Sequence, residues 1–336
     1  MATSLDTTYL STGNRIIQDA YEHLRIKQKG QNLDADDQAQ AERYLNNIVK
    51  DWQKDGLHLW KEKEAAVFLE SGRRTYTLGN QTNFRFDAAD ALTTNNPVKA
   101  TQGDWVATTL TANALAAQPV IDVTALTGYS GTPFNTGNTA INVAVEDNNG
   151  SLQWSTLASV STLELTLADN LTVASDSGNR VFIYFEHLDK PLKILQDNVR
   201  LWEVSGNETP LYSLSFTDYN LLPDKGATGV PVQVFYQPQI DTGELAIWPV
   251  STDETRVILF RYMAEIEIFD ASYTQDLPPE WIRALGWALA SELGASKGVA
   301  LPRQQALDMR ASSLKEQVLE WDQDNSSLFL FPRKWG

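Results

Sequence analysis

Helical periodicity in this chain is confined to its two ends. About Thr12–Trp60 and about Pro278–Trp321 carry apolar residues at helical spacing, and the roughly 215 residues between them read almost wholly as strands and turns. Two amphipathic helix pairs so far apart in sequence bury their apolar faces by meeting each other. The expected class is therefore α+β. N- and C-terminal helix pairs make a helical bundle, and a central β-rich region carries an inserted small β-sandwich or barrel.

The first helix covers roughly Asn14–Lys27, with Ile16, Ile17, Ala20 and Leu24 on one face; Ser11 or Thr12 caps it and Gly30 ends the segment. The second opens at Asp34, with Asp36 and Asp37 where the helix dipole favours negative charge. Its stripe is Ala41, Tyr44, Leu45, Ile48, Val49 and Trp52, and Lys54-Asp55-Gly56 stops it. Pro278-Pro279-Glu280 opens the third helix. Trp281, Ile282, Leu285, Trp287, Leu289 and Leu293 make it apolar nearly all round, which predicts the buried centre of the bundle, and Gly294 and Gly298 end it. A fourth helix starts at Pro302 and aligns Leu307, Arg310, Leu314, Val318 and Trp321.

From about Glu64 the period changes to two. Ala66 and Phe68 alternate with Val67 and Leu69, Ser71-Gly72-Arg73-Arg74 turns the chain, and Tyr76 and Leu78 continue, which predicts a hairpin. About Phe84–His187 is rich in small and polar residues and nearly empty of Lys and Arg. Short strands recur there at Asp104–Leu110, Val120–Leu126, Ile141–Glu146, Leu152–Leu157, Leu163–Leu167 and Val181–Phe185, with an Asn-Gly turn at Asp147-Asn148-Asn149-Gly150. Further strands are expected at Leu192–Val204, Leu211–Phe216, Val232–Tyr236, Glu244–Trp248 and Arg256–Met263, with a loop at Leu221–Gly226. The expected domains are 1–83 plus 188–323, the bundle with its sheet core; 84–187, the inserted β-domain; and 324–336, a C-terminal arm.

The residues point away from catalysis. With no cysteine, thiolate chemistry, disulfides and zinc ribbons are excluded. His23, His58 and His187 share no ligand spacing. Asp322–Ser327 starts like a calcium loop, but Ser327 stands where glycine is needed and Arg333 where glutamate is needed. The carboxylate pairs Glu62/Glu64 and Asp253/Glu254 read as solvated faces in a chain with 43 acidic residues. Arg73-Arg74 reads as a solvated turn. No enzyme activity, cofactor or metal is expected. No signal peptide or membrane span is expected, so the protein is expected to be soluble and cytosolic. A net charge of −16 disfavours a surface that grips phosphate backbones. It leaves open an acidic passage through which DNA slides, or plain solubility.

Behind the polar stretch Asp324-Asn325-Ser326-Ser327 comes an apolar run: Leu328, Phe329, Leu330, Phe331, Pro332, Arg333, Lys334 and Trp335. It is expected either to fold back onto its own domain or to reach a partner by strand addition.

Three stretches carry a resemblance. The first is Asn14-Arg15-Ile16-Ile17-Gln18-Asp19-Ala20 with Ala41–Trp52 and the exit Gln53-Lys54-Asp55-Gly56-Leu57. The second is Pro238–Pro249, with Gly243-Glu244-Leu245 and Trp248-Pro249. The third is Leu277-Pro278-Pro279-Glu280-Trp281-Ile282-Arg283-Ala284-Leu285. Together they resemble the head-to-tail adaptors of short-tailed bacteriophages, also called tail accessory or packaged-DNA stabilisation proteins. The resemblance implies a structural virion protein of the tail or neck, assembled in the host cytoplasm. It implies a ring homo-oligomer, typically of twelve copies, under the portal protein. Such a ring extends the channel for double-stranded DNA, which passes without sequence-specific binding, and docks the tail nozzle protein. It also implies a portal-binding arm, here Leu328–Trp335. The inserted domain departs from the shortest members of that family. A different reading is a carbohydrate-binding module on a helical scaffold, with Trp105, Tyr129 or Trp154 as sugar contacts. For Trp105 and Trp154, core packing competes with that role.

Overall fold

A computed structural model describes residues 13–26, 33–54, 62–79, 100–102, 105–129, 131, 141–184, 188, 190–195, 198–203, 206–240, 242–252, 255–266 and 279–321. Along them run α1 (Gly13–Leu24), α2 (Ala35–Lys54), β1 (Glu62–Phe68), β2 (Thr75–Leu78), β3 (Ala100–Gln102), β4 (Trp105–Thr109), β5 (Val120–Asp122), β6 (Asn142–Glu146), β7 (Leu152–Ser161), β8 (Glu164–Leu167) and β9 (Arg180–Tyr184). There follow β10 (Pro191–Ile194), β11 (Arg200–Trp202), β12 (Glu208–Pro210), β13 (Tyr212–Ser213), α3 (Phe216–Leu221), β14 (Gln233–Pro238), β15 (Gly243–Trp248), β16 (Val257–Ala264), α4 (Pro279–Ser296) and α5 (Leu301–Trp321). The class is mixed α+β. The chain divides into two compact units, Met1–Lys61 with Ile266–Gly336, and Glu62–Glu265.

In the first unit, helices from both ends of the chain share one apolar core. α1 contributes Ile16, Ile17, Ala20 and Tyr21, α2 contributes Ala41, Leu45, Val49 and Trp52, and α5 contributes Leu307, Leu314 and Val318. α4 packs against all three of the others, which is why it is apolar on nearly every face. Asp34 starts α2 by accepting Gln38 N on its carbonyl at 3.0 Å and Ala35 N on its carboxylate at 2.9 Å. Lys297, just beyond α4, pairs with Asp37 in the first turn of α2 at 2.7 Å, and the Tyr21 hydroxyl donates to the Asp37 carbonyl at 3.2 Å. One position corrects the sequence reading. Gly294 does not end the helix, which runs to Ser296 before Gly298 turns at φ +70°. A β-carbon at Gly294 would stand 2.4 Å from Gln304 Oε1, so the glycine serves the close approach of α5, whose Gln304 amide donates to Ser291 O at 2.9 Å.

His23, near the end of α1, stacks on Trp287 with ring centroids 4.1 Å apart. Burial pushes its pKa below 6.5 first of all, against the opposing pull of Asp19 and Glu22. A base whose folded pKa is depressed gives stability that is complete above its unfolded pKa and is lost as pH falls through 6.5 toward the folded value. Melts of His23→Phe, which keeps the stacked ring, are expected to show a flatter loss of stability below pH 6.5 than the parent. Equal slopes would contradict this.

The second unit is layered β-structure. A six-stranded sheet runs β12-β11-β16-β1-β3, with β10 also on β16. A four-stranded sheet runs β13-β14-β15-β2, and a second six-stranded sheet runs β4-β9-β6-β7-β8-β5. The first sheet is covered on both faces. Ala65, Val67, Ile258 and Phe260 pack on the four-stranded sheet through Tyr76, Leu78, Val234 and Leu245. Ala66, Phe68, Val257 and Leu259 pack on Trp105, Ala144, Phe182 and Tyr184 of the second six-stranded sheet. Strands buried on both faces carry continuous apolar runs, as in Ala65–Phe68 and Val257–Phe260.

That burial overturns the expected hairpin. β1 pairs with β16 and β3, while β2 pairs with β15 in a different sheet, so Ser71–Arg74 is a corner between layers. The expected strands of 105–184 form. The turn at Asp147–Gly150 closes β6 onto β7, with Gly150 at φ +81° and the Asp147 carboxylate accepting Asn149 N and Ser151 N at 2.8 and 3.0 Å. β7 pairs with β6 in its first half and β8 in its second, with a register shift between Leu157 and Ser159. That bulge bends the sheet over, so Val143, Val181 and Ile183 face Ile121, Leu165 and Leu167 across one core. β4 and β5 meet through the bridge Leu110↔Val123 without pairing along their length. Among the described residues there is no closed barrel, which removes that alternative for 84–187.

Gly243, in the stretch that carries the second part of the resemblance, is held by a contact. A β-carbon there would fall 2.2 Å from Tyr236 Oη and 2.4 Å from Cε2. The ring cannot swing away cheaply, because its hydroxyl donates to Pro191 O. Gly243→Ala is expected to destabilise by about 1–3 kcal/mol, read from the denaturation midpoint. Paired with Tyr236→Ala, the loss should be less than additive, and strict additivity would contradict the contact.

Candidate functional site

The arm Leu328, Phe329, Leu330, Phe331, Pro332, Arg333, Lys334 and Trp335 lies outside the described residues, as do His58, His187, Asp253/Glu254 and Asp322–Ser327. The other sequence candidates are placed and occupied. Glu62 faces Arg261 at 3.9 Å, and Glu64 pairs with Arg200, so each carboxylate is committed to a different guanidinium. Arg73 is bound locally, to Glu70 at 2.9 Å and to Thr75 O at 2.9 Å, and lies over the Tyr76 ring. Among the described residues, no group of three His, Asp or Glu is placed to hold a metal ion.

The proposed sugar contacts are drawn into packing. Trp105 is 2% exposed, edge-on to Phe68 and Trp202. Trp154 packs against the same aromatic cluster. Tyr129 keeps one ring face on Trp105, with centroids 5.1 Å apart, and its hydroxyl donates to Glu208. Burial and that carboxylate push its pKa up to about 12. Glu208 is also held by Arg200 at 2.8 Å, and Arg200 in turn pairs with Glu64. Tyr129, Glu208, Arg200 and Glu64 thus form one polar chain across the two six-stranded sheets.

Several exposed apolar residues of the described chain belong to a segment that carried no site candidate in the sequence reading. Between β13 and β14 the chain leaves the sheet for residues 214–232 and returns. Ser215 caps α3 by accepting Asp218 N at 3.1 Å, and Tyr219 stacks on Phe235 at 4.7 Å, which fixes the excursion to the sheet. Trp248 Nε1 donates to Asp224 O at 2.8 Å and holds its far end. Inside that frame no residue of α3 is buried. Tyr212 is 75% exposed, Phe216 61% and Leu221 73%, with Val230 and Val232 exposed beside them. These apolar groups are left uncovered by the described part of the chain. The available chemistry is apolar contact and main-chain hydrogen bonding.

No protein-family model matches the chain, and no curated protein matches it. Among solved structures, VP17, a capsid protein of bacteriophage P23-77, aligns over 65% of this chain and 75% of its own, at 12% identity and a TM-score of 0.11. A likeness at that score carries no argument for fold or role.

Proposed function

We propose that the protein is a structural, non-enzymatic component of a phage virion: a head-to-tail adaptor that forms a ring under the portal, extends the DNA channel and docks the tail nozzle. The observation that carries the reading is the split helical unit. Helix pairs from the two ends of the chain share one core, and the β-rich unit Glu62–Glu265 lies between them in the sequence, the layout that the three resembling stretches imply for a helical bundle. The exposed surface around α3 supports it, because an assembly protein needs apolar area left over after its own folding. The charge of −16 supports a channel wall that repels DNA instead of gripping it. In this reading the ring has about twelve copies joined by heterologous contacts, the arm Leu328–Trp335 meets the portal, and the assembly sits in the tail or neck.

Deleting Leu328–Gly336 tests the arm. The truncated chain is expected to fold, with the melt of the parent, and to lose at least tenfold in portal affinity by sedimentation or interferometry. Undiminished portal binding would overturn this assignment.

A further inference from the structure

Among the described residues, the four-stranded sheet ends at β13. Tyr212 N and Leu214 N donate to Val232 O and Val234 O at 3.0 and 2.8 Å. In this parallel pairing the N–H and C=O of the intervening Ser213 face the opposite edge, where no described strand pairs. Near that edge lies β10, whose ladder to β16 is interrupted between Pro191 and Lys193. Leu192 stands at the interruption, 38% exposed. Between the two edges is a pocket of ≈160 Å³, lined by Leu192 and Ile194, by Ser213 and Leu214, and by Tyr236 and Pro238. Among the described residues, two strand edges without a partner flank this partly apolar pocket, which has the form of a sheet that lacks one strand.

We infer that this groove receives Leu328–Phe331 of a second copy of the chain, added as a strand beside Ser213. The inference rests on the ring reading for its geometry. Leu-Phe-Leu-Phe presents large apolar groups to both faces of an added strand, so either register puts one toward the pocket. Pro332 has no N–H to donate, so the added ladder ends at Phe331. Lys193 also lines the pocket, and its charge disfavours Arg333 and Lys334 there. This narrows the portal assignment of the arm: Leu328–Phe331 locks neighbouring copies together, and only Arg333-Lys334-Trp335 is left to meet the portal. Residues 322–327, fully extended, give the arm roughly 20 Å of reach beyond Trp321. A second copy fits for a reason of charge. Each chain carries −16, so copies repel, and their cohesion must come from apolar and main-chain contacts. Handing one arm to the next copy is a heterologous contact that closes into a ring.

The test uses the full chain with p-benzoylphenylalanine in place of Phe329, mixed from ¹⁵N-labelled and unlabelled preparations and irradiated both alone and with the portal protein. Expected are cross-links from position 329 to residues 190–195, 211–214 or 232–238, joining labelled to unlabelled chains. Leu192→Asp and Ser213→Pro should each cut their yield at least tenfold, and Leu192→Asp alters an exposed position that folding does not need. Cross-links elsewhere, cross-links within one chain alone, yields unchanged in both variants, or no cross-link in either mixture would overturn the inference. Failure of the adaptor reading gives a different pattern: groove cross-links between copies, with no portal complex.

Discussion

Phe68→Ala is expected to remove about 3–5 kcal/mol of folding stability, the largest single loss in the β-rich unit. Phe68 is fully buried at the end of β1, on the face that meets the second six-stranded sheet. Its ring centroid lies 5.2 Å from that of Phe182, 5.1 Å from Tyr184, 5.7 Å from Trp105 and 6.1 Å from Trp154. Truncation forfeits the transfer energy of the ring and leaves a cavity that four large aromatic neighbours cannot close without leaving their own strands. It also loosens the contact between layers. Urea denaturation followed by tryptophan fluorescence reads the effect, since Trp105 and Trp154 report from the same cluster. A loss under about 1 kcal/mol would show that the layers do not meet through this residue.

Trp281→Ala should cost a similar amount, about 3–5 kcal/mol, in the helical unit. Trp281 is 1% exposed in the first turns of α4 and meets Trp52 of α2 edge-on at 5.6 Å. Because α2 and α4 come from opposite ends of the chain, this one contact tests whether the two helix pairs share a core. The signature is a drop in the thermal midpoint of the helical ellipticity at 222 nm. A midpoint that shifts by the equivalent of less than about 1 kcal/mol would contradict a common core.

The helices were legible because their apolar stripes are long and regular. Ile16, Ile17, Ala20 and Leu24 in α1, and Ala41, Leu45, Ile48 and Val49 in α2, are buried where the periodicity puts them. The strands of 105–184 were legible because each is short and bounded by turn residues. What stayed hidden was pairing. Ala65–Phe68 is buried on both faces, so alternation carries no information there, and its partner in β16 lies roughly 190 residues further along the chain. Only local turn chemistry is visible to a pattern, and Ser71–Arg74 has turn chemistry whether it closes a hairpin or rounds a corner.

The exposed surface around α3 was missed for a related reason. Phe216–Leu221 is too short to show a helical period; Phe216 reads as the end of strand Leu211–Phe216 and Leu221 as the start of the loop Leu221–Gly226. A signal was nevertheless present: Ser215 with Asp218 three positions on is the spacing of a helix cap, followed by Pro223. The pocket between β10 and β13 had no signal at all, because it is made by two edges from different sheets.

The measurement that bears most directly on the adaptor reading is light-scattering mass of the full chain, alone and mixed with its portal protein. A ring under the portal gives a complex carrying about one copy of this chain per portal subunit, stable over a range of salt because the contacts are apolar and main-chain. A mass that never exceeds the separate components at any salt would contradict it.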